Sequence, residues 1–136
     1  LILAGPEMAN FTAFWKGYGA AEHVHRLGVL DESQKRDFFA GLDVFALPSR
    51  SDSFGLVLLE AWANGVPNVG YRAGGIAGVI RDEEDGLLVK CGDVAALANA
   101  VARLALVKNA EMAMIGTTGS APTSGTSTSG ISAPVP

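Results

Sequence analysis

The chain has 136 residues, of which 49% are hydrophobic and 18% charged; that is too apolar for a disordered chain and the size of one domain. The formal net charge is −4 and the ten Lys and Arg form no run, so neither nucleic acid nor an anionic membrane is expected as a partner. No apolar stretch approaches the ~20 residues of a transmembrane helix. A single cysteine, Cys91, excludes a disulfide framework and fits a reducing, cytoplasmic setting.

The average composition hides a split. Residues 116–136 carry no charge and consist mostly of Gly, Ser, Thr, Pro and Ala. A folded unit is therefore expected over 1–109, with a flexible, disordered tail over 110–136. Leu1–Gly5 has neither the basic region nor the cleavage site of a signal peptide. With no initiator Met, the chain reads as starting inside a larger protein.

Leu1–Ala4 is a short apolar run closed by Gly5-Pro6 and reads as a buried strand. Met8 to about Gly19 spaces Phe11, Phe14 and Trp15 as a helix does, and these aromatics are expected to pack as core or along the helix itself. His23–Leu27 reads as a strand closed by Gly28. Asp31 is placed to cap a helix over 32–41.

Asp43–Leu47 is a second buried strand, stopped by Pro48, and Ser49–Ser53 is a polar loop. Phe54–Asn64 is an apolar helix that Gly65 and Pro67 end. Asn68–Tyr71 is the next strand, Gly74-Gly75 opens a short helix through Ile80, and Leu87–Val89 is the last strand. Asp93 then caps a helix whose stripe of Val94, Leu97, Val101 and Leu104 fades near Asn109. Strands alternate with helices about five times, the pattern of an α/β domain with a Rossmann-like parallel sheet flanked by helices. In such sheets ligands bind at the carboxyl ends of strands.

The segment Pro48–Pro67 carries the strongest chemical signal. A strand ends, a polar loop follows, and a helix begins near Gly55, so free backbone N–H groups at that helix start suit a phosphate. Asp52 precedes the helix, and Glu60 lies inside it among Val57, Leu59, Ala61 and Trp62, where a carboxylate needs a partner or a ligand. Gly55 and Glu60 are about 7.5 Å apart along the axis at ~1.5 Å per residue. Two carboxylates flanking a helix start suit an elongated ligand with hydroxyls at both ends and a diphosphate between, the layout of a nucleotide-sugar.

These residues resemble the acidic E-x(7)-E segment of retaining glycosyltransferases of GT-B fold, the glycosyl transferases group 1. Leu1–Gly5 is similar to that family's LVIAG strand, Arg26-Leu27-Gly28 to its RFLG strand end, and Asp43–Ser49 to DVFVLPS. Gly74-Gly75-Ile76 is similar to the GGI turn and Asp85–Val89 to NGLLV. The resemblance covers residues 1 to about 108. It implies the C-terminal half of a GT-B fold, which binds the sugar-nucleotide donor.

By that resemblance Glu60 would hold the ribose hydroxyls and Asp52 would face the donor sugar, with Asp standing where Glu is commoner. The N–H groups of Phe54, Gly55 and Leu56, together with Val57, would line the donor. Gly28 and Val29 would line the base, Gly74 and Gly75 would come close to the sugar, and Ser49 and Arg50 lie in the same loop. Arg50 either touches phosphate or is a solvated loop residue. No metal or other cofactor is expected. His23 and His25 could hold a metal as a pair but lack a third ligand, and Cys91 reads as an inert thiol.

Two family features have no counterpart here. One is the N-terminal, acceptor-binding domain. The other is the first strand of the donor domain, with its Gly-Arg-Leu…Lys-Gly stretch of diphosphate-gripping basic residues. In the order 3-2-1-4-5-6 that strand is central, flanked by Leu1–Ala4 and Asp43–Leu47. A rearranged sheet, or one completed by a homo-oligomer through unpaired strand edges, is therefore expected. The expected function is the donor-binding portion of a hexosyltransferase, inactive alone. The alternatives are a non-catalytic α/β binding or assembly module with a vestigial site, and a nucleotide-sugar epimerase of the same fold.

Overall fold

A computed structural model describes residues 1–19 and 21–117. In chain order it contains β1 (Ile2–Ala4), α1 (Ala9–Lys16), a 3₁₀ turn (Ala21–His23), β2 (His25–Gly28), α2 (Glu32–Ala40), β3 (Phe45–Leu47), α3 (Leu56–Ala63), β4 (Asn68–Tyr71), α4 (Ile76–Val79), β5 (Gly86–Val89) and α5 (Val94–Thr117). Every strand pair is parallel, with a helix in each connection between paired strands.

The strands form two separate ladders. β1 pairs with β2, and β3-β4-β5 form a three-stranded sheet with β4 in the middle. The expected rearrangement does not occur within the chain: β1 and β3 keep the neighbours that their crossovers assign and do not pair with each other. α1 links the paired β1 and β2, and α3 and α4 link the strands of the larger sheet, whereas α2 joins β2 to β3 without pairing them. The edge of β1 away from β2 and the edge of β3 away from β4 therefore carry no ladder among the described residues.

The core belongs to the larger sheet. β4 is buried at all four positions, whereas β1 and β2 are mostly exposed. On one sheet face Leu58, Ile76, Ile80 and Leu88 pack together, with Phe45 and Trp62 against them. On the other, Val69, Leu87 and Ala100 meet Leu97, Val101 and Leu104 of α5. Alternation along β4 makes this possible, since successive residues point to opposite faces. A third cluster of Phe39, Ala61 and Val66 locks α2 onto α3.

Local signals explain the helix ends. Asp31 and Gln34 form a reciprocal capping box at the start of α2. Asp93 Oδ1 accepts from Ala96 N (2.9 Å) at the start of α5. That helix continues through Thr117, past the boundary expected at Asn109. Ala110, Glu111, Met112 and Ala113 are strong helix formers even where the apolar stripe ends. The expected tail thus loses residues 110–117 to the helix, and its remainder, 118–136, lies outside the described residues.

One smaller expectation is corrected and another is narrowed. The strand read from His23 starts only at His25, because Ala21–His23 turns first. The aromatics of α1 are not core: the helix has no buried residue, and Phe14 is 61% exposed. Phe11 and Trp15 stack on each other at 5.8 Å, and the Arg26 guanidinium sits 4.8 Å from the Trp15 ring. Among the described residues no helix is long and apolar enough to cross a membrane.

The turn after α4 is held by carboxylates. Asp82 accepts from Leu88 N (2.8 Å) and pairs with Arg72, and these bonds hold its carboxyl below the usual carboxylate range. Asp85 accepts from Arg81 Nε (2.6 Å) and Arg81 N (2.7 Å), with the same result. A depressed folded-state pKa contributes stability that is present above the unfolded value of about 4 and is lost as pH falls through the folded value. Urea midpoints should therefore fall as pH drops below about 4. Asp82→Asn should lower the midpoint at neutral pH and flatten that acid limb; an unchanged pH profile would exclude this contribution.

Candidate functional site

The carboxyl ends of β3 and β4 open onto two loops, 48–55 and 72–75, which are bound to each other. Gly75 N donates to Asp52 O (2.8 Å). A methyl group on Gly74 would stand 2.6 Å from that same carbonyl oxygen, and one on Gly75 would overlap the Ser53 carbonyl. Only glycine lets the two backbones approach so closely. Gly74 also adopts φ 54, in the left-handed region. Gly70 has a similar task on β4, where a Cβ would lie 2.5 Å from Ile76 Cγ2.

Asp52 organises the first loop. Its Oδ1 accepts from Phe54 N (3.0 Å) and from Gly55 N. This is an Asx-type turn, in which a short carboxylate mimics a backbone carbonyl. It leads into Gly55, buried and at φ 74, which turns the chain into α3. The N–H groups of Phe54 and Gly55, expected to be free, are thus held by Asp52. Gly55 O then accepts from Leu58 N (2.8 Å). The N–H groups of Leu56 and Val57, the first two of the helix, carry no hydrogen bond among the described residues.

Glu60 lies one turn further along α3 and is paired. Lys35 Nζ of α2 stands 2.8 Å from its Oε1, while Oε2 is buried without a partner. The same lysine is 3.6 Å from Glu32, and the ammonium is held in its charged form chiefly by the hydrogen bond to Glu60. Lys35 went unnoticed in the sequence. The only signal there was its place four residues before Phe39, on the face of α2 that docks on α3.

The remaining candidates divide by sheet. Half-buried Ser49 and exposed Arg50 follow β3, and Arg50 reaches toward Gly92 in the loop after β5. Phe54 and Leu56 are 53% and 66% exposed, so both apolar side chains face outward at the helix start. Gly28 (φ 69) and Val29 (74% exposed) end β2, on the smaller sheet, and Gly28 O accepts from Gly5 N (2.8 Å). The structure brings Asp52, Phe54, Gly55, Gly74 and Gly75 into one loop pair, with Glu60 on the helix that leaves it. Among the described residues no three His, Cys, Asp or Glu side chains cluster as a metal site.

Known proteins share the sequence and fold of this chain. Residues 1–118 match the family model described as glycosyl transferases group 1. The chain is 47% identical over 110 residues to D-inositol 3-phosphate glycosyltransferase of Acidothermus cellulolyticus, across 76% of this chain and 25% of that protein. It superposes on sucrose-phosphate synthase of Thermosynechococcus elongatus with TM-score 0.71 and 28% identity, over 79% of this chain and 29% of that one. It also superposes on Anabaena Alr3699/HepE in complex with UDP-glucose, with TM-score 0.63 and 22% identity over 86% of this chain and 40% of that one. The chain thus spans between a quarter and two fifths of the length of these proteins.

The loop contact yields a prediction. Gly75→Ala forces a methyl group into backbone and should destabilise the fold by about 1–3 kcal/mol, as overpacking does. Gly78→Ala, in α4 with nothing within 4 Å of the new methyl, should be neutral or stabilising by up to ~1 kcal/mol. Urea denaturation of both variants checks the contrast, and equal effects would refute the packing argument.

Proposed function

The chain belongs to the glycosyl transferases group 1 family, and from that premise we propose that it is the donor-binding part of a retaining hexosyltransferase that uses a nucleotide-diphospho-sugar. The observation that carries the reading is the Asp52–Gly55 loop, stapled to Gly74-Gly75 at the strand ends, with Glu60 on the adjoining helix. Support comes from the UDP-glucose complex of a protein with the same fold.

In this reading the donor lies along the crevice. Glu60 takes the ribose hydroxyls, since a carboxylate accepts from two vicinal hydroxyls at once. The unpaired N–H groups of Leu56 and Val57 face the diphosphate, where the positive end of α3 favours negative charge. Arg50 adds a cation at the loop. Asp52 shapes this cradle by capping its first two N–H groups, which also places a carboxylate edge beside the sugar. Gly74 and Gly75 leave room for the sugar over the backbone, Ser49 and Val57 complete the wall, and Gly28 and Val29 take the base.

The chemistry follows from that placement. The bond between the anomeric carbon and the diphosphate oxygen breaks, and the electron pair leaves with the diphosphate. An acceptor hydroxyl forms the new bond to the anomeric carbon, and its proton passes to the departing diphosphate oxygen. Positive electrostatic potential at the helix start stabilises the leaving diphosphate, where charge develops in the transition state. In the whole protein the acceptor would be bound by another part, so this chain alone should not turn over.

A second reading is favoured by one observation: both carboxylates already have protein partners, Asp52 as a cap and Glu60 with Lys35. A non-catalytic α/β module would keep them for structure alone. Titration with UDP-, GDP- and ADP-sugars separates the two. One of these should bind, and Glu60→Ala and Asp52→Ala should each weaken it roughly tenfold or more, the scale of hydrogen bonds to a charged group. Unchanged affinity in both variants, or no binding of any donor, selects the module. Transfer or hydrolysis of a donor by the chain alone would overturn the expected lack of turnover.

A further inference from the structure

The two oxygens of Glu60 differ in their surroundings. Oε1 accepts from Lys35 at 2.8 Å, while Oε2 has no partner and no contact with solvent. Asn68 Oδ1 is the one other buried side-chain polar atom without a partner among the described residues, and it lies deep in the core. An orphaned acceptor is unfavourable unless something else supplies the donor. The helix that carries this lysine is docked on α3. Phe39, one turn along α2 on the same face, is 3% exposed and packs with Ala61, the residue next to Glu60.

We propose that Lys35 is a positioning residue, which holds the Glu60 carboxylate by one oxygen so that the pair of oxygens meets the vicinal hydroxyls of a ribose. This rests on the reading of Glu60 as the ribose acceptor. Each carboxylate oxygen has two lone pairs, so Oε1 can accept from Lys35 and from one hydroxyl together. The second hydroxyl then supplies the donor that Oε2 lacks, after a small rotation about the terminal torsion, which is soft. Without the ammonium the carboxylate is free to rotate away. The selective hydrogen bond is then lost although the acceptor itself is still present. A site built to hydrogen-bond a hydroxyl rejects the analogue that lacks it, so the ratio of ribose to deoxyribose affinity reports this orientation directly.

The test is calorimetric titration of the 136-residue chain with UDP, GDP and ADP and with their 2′-deoxy counterparts. The native chain should prefer the ribonucleotide about tenfold or more. Lys35→Met and Lys35→Gln should reduce that preference below about threefold, and Lys35→Arg should restore it. Circular dichroism shows which variants fold, and the two neutral replacements back each other. Should neither fold, a Lys35→Arg chain that folds but prefers deoxyribose equally overturns the proposal, and one that keeps the ribose preference supports it. If Lys35→Met weakens both nucleotides equally and leaves the ratio intact, Lys35 only supports helix packing and the inference fails while the donor-binding reading stands. If the native chain binds no nucleoside diphosphate, or Glu60→Gln leaves the preference unchanged, the ribose reading fails and this inference fails with it.

Discussion

The backbone contact between Gly74-Gly75 and Asp52–Phe54 is the constraint on which the site depends. It sets how far the β3–α3 loop can stand from the end of β4, and it permits no side chain between them. Once the loops are in register, Asp52 O is committed to Gly75 N and Asp52 Oδ1 to the turn into α3. The direction in which α3 leaves the sheet follows from that turn and from Gly55 at φ 74. Glu60, one turn later, inherits its position from the same geometry. A carboxylate that looks like a ligand contact is therefore also an architectural element, and its removal would move everything downstream of it.

The larger sheet supplies the rigidity behind this arrangement. β4 is buried from Asn68 to Tyr71, and Asn68 Nδ2 ties it to Leu58 O of α3 (2.9 Å). Ile76 lies so close to Gly70 that α4 has essentially one seat on the sheet. Sites on packed helices and strands hold their groups more precisely than sites on loops alone. Here the loops gain that precision by being fastened to the elements on both sides.

Much of this was legible in the amino-acid order. Asn68–Tyr71 reads as a strand because an apolar run lies between Gly65-Val66-Pro67 and a glycine turn, and it forms at those residues. Asp31 announces its cap by position alone, and the structure adds Gln34 as its reciprocal partner. The acidic pair and the glycine turn point to one crevice before any coordinate is known. What was not legible depends on tertiary contact. That Lys35 meets Glu60 follows from how α2 crosses α3, and no local pattern records it. The extension of α5 to Thr117 was missed because helix propensity outlasted the apolar stripe that served as the signal. The missing strand left open a re-paired sheet or one completed by a second copy; β1 and β3 do not pair, and β2 and β3, though joined through α2, lie in separate ladders.

The division into two ladders has a kinetic meaning. Parallel pairs of three to four residues, exposed on most positions, open locally at little cost in free energy, while a central strand buried on both faces opens only when the whole sheet does. Amide exchange along the chain should therefore occur on two time scales, fast over β1 and β2 and slow over β4 and β5. Gly28 and Val29 sit on the fast side and Glu60 on the slow one. A ligand that spans the two would be gripped first by its rigid end, and the mobile end would order around it afterwards.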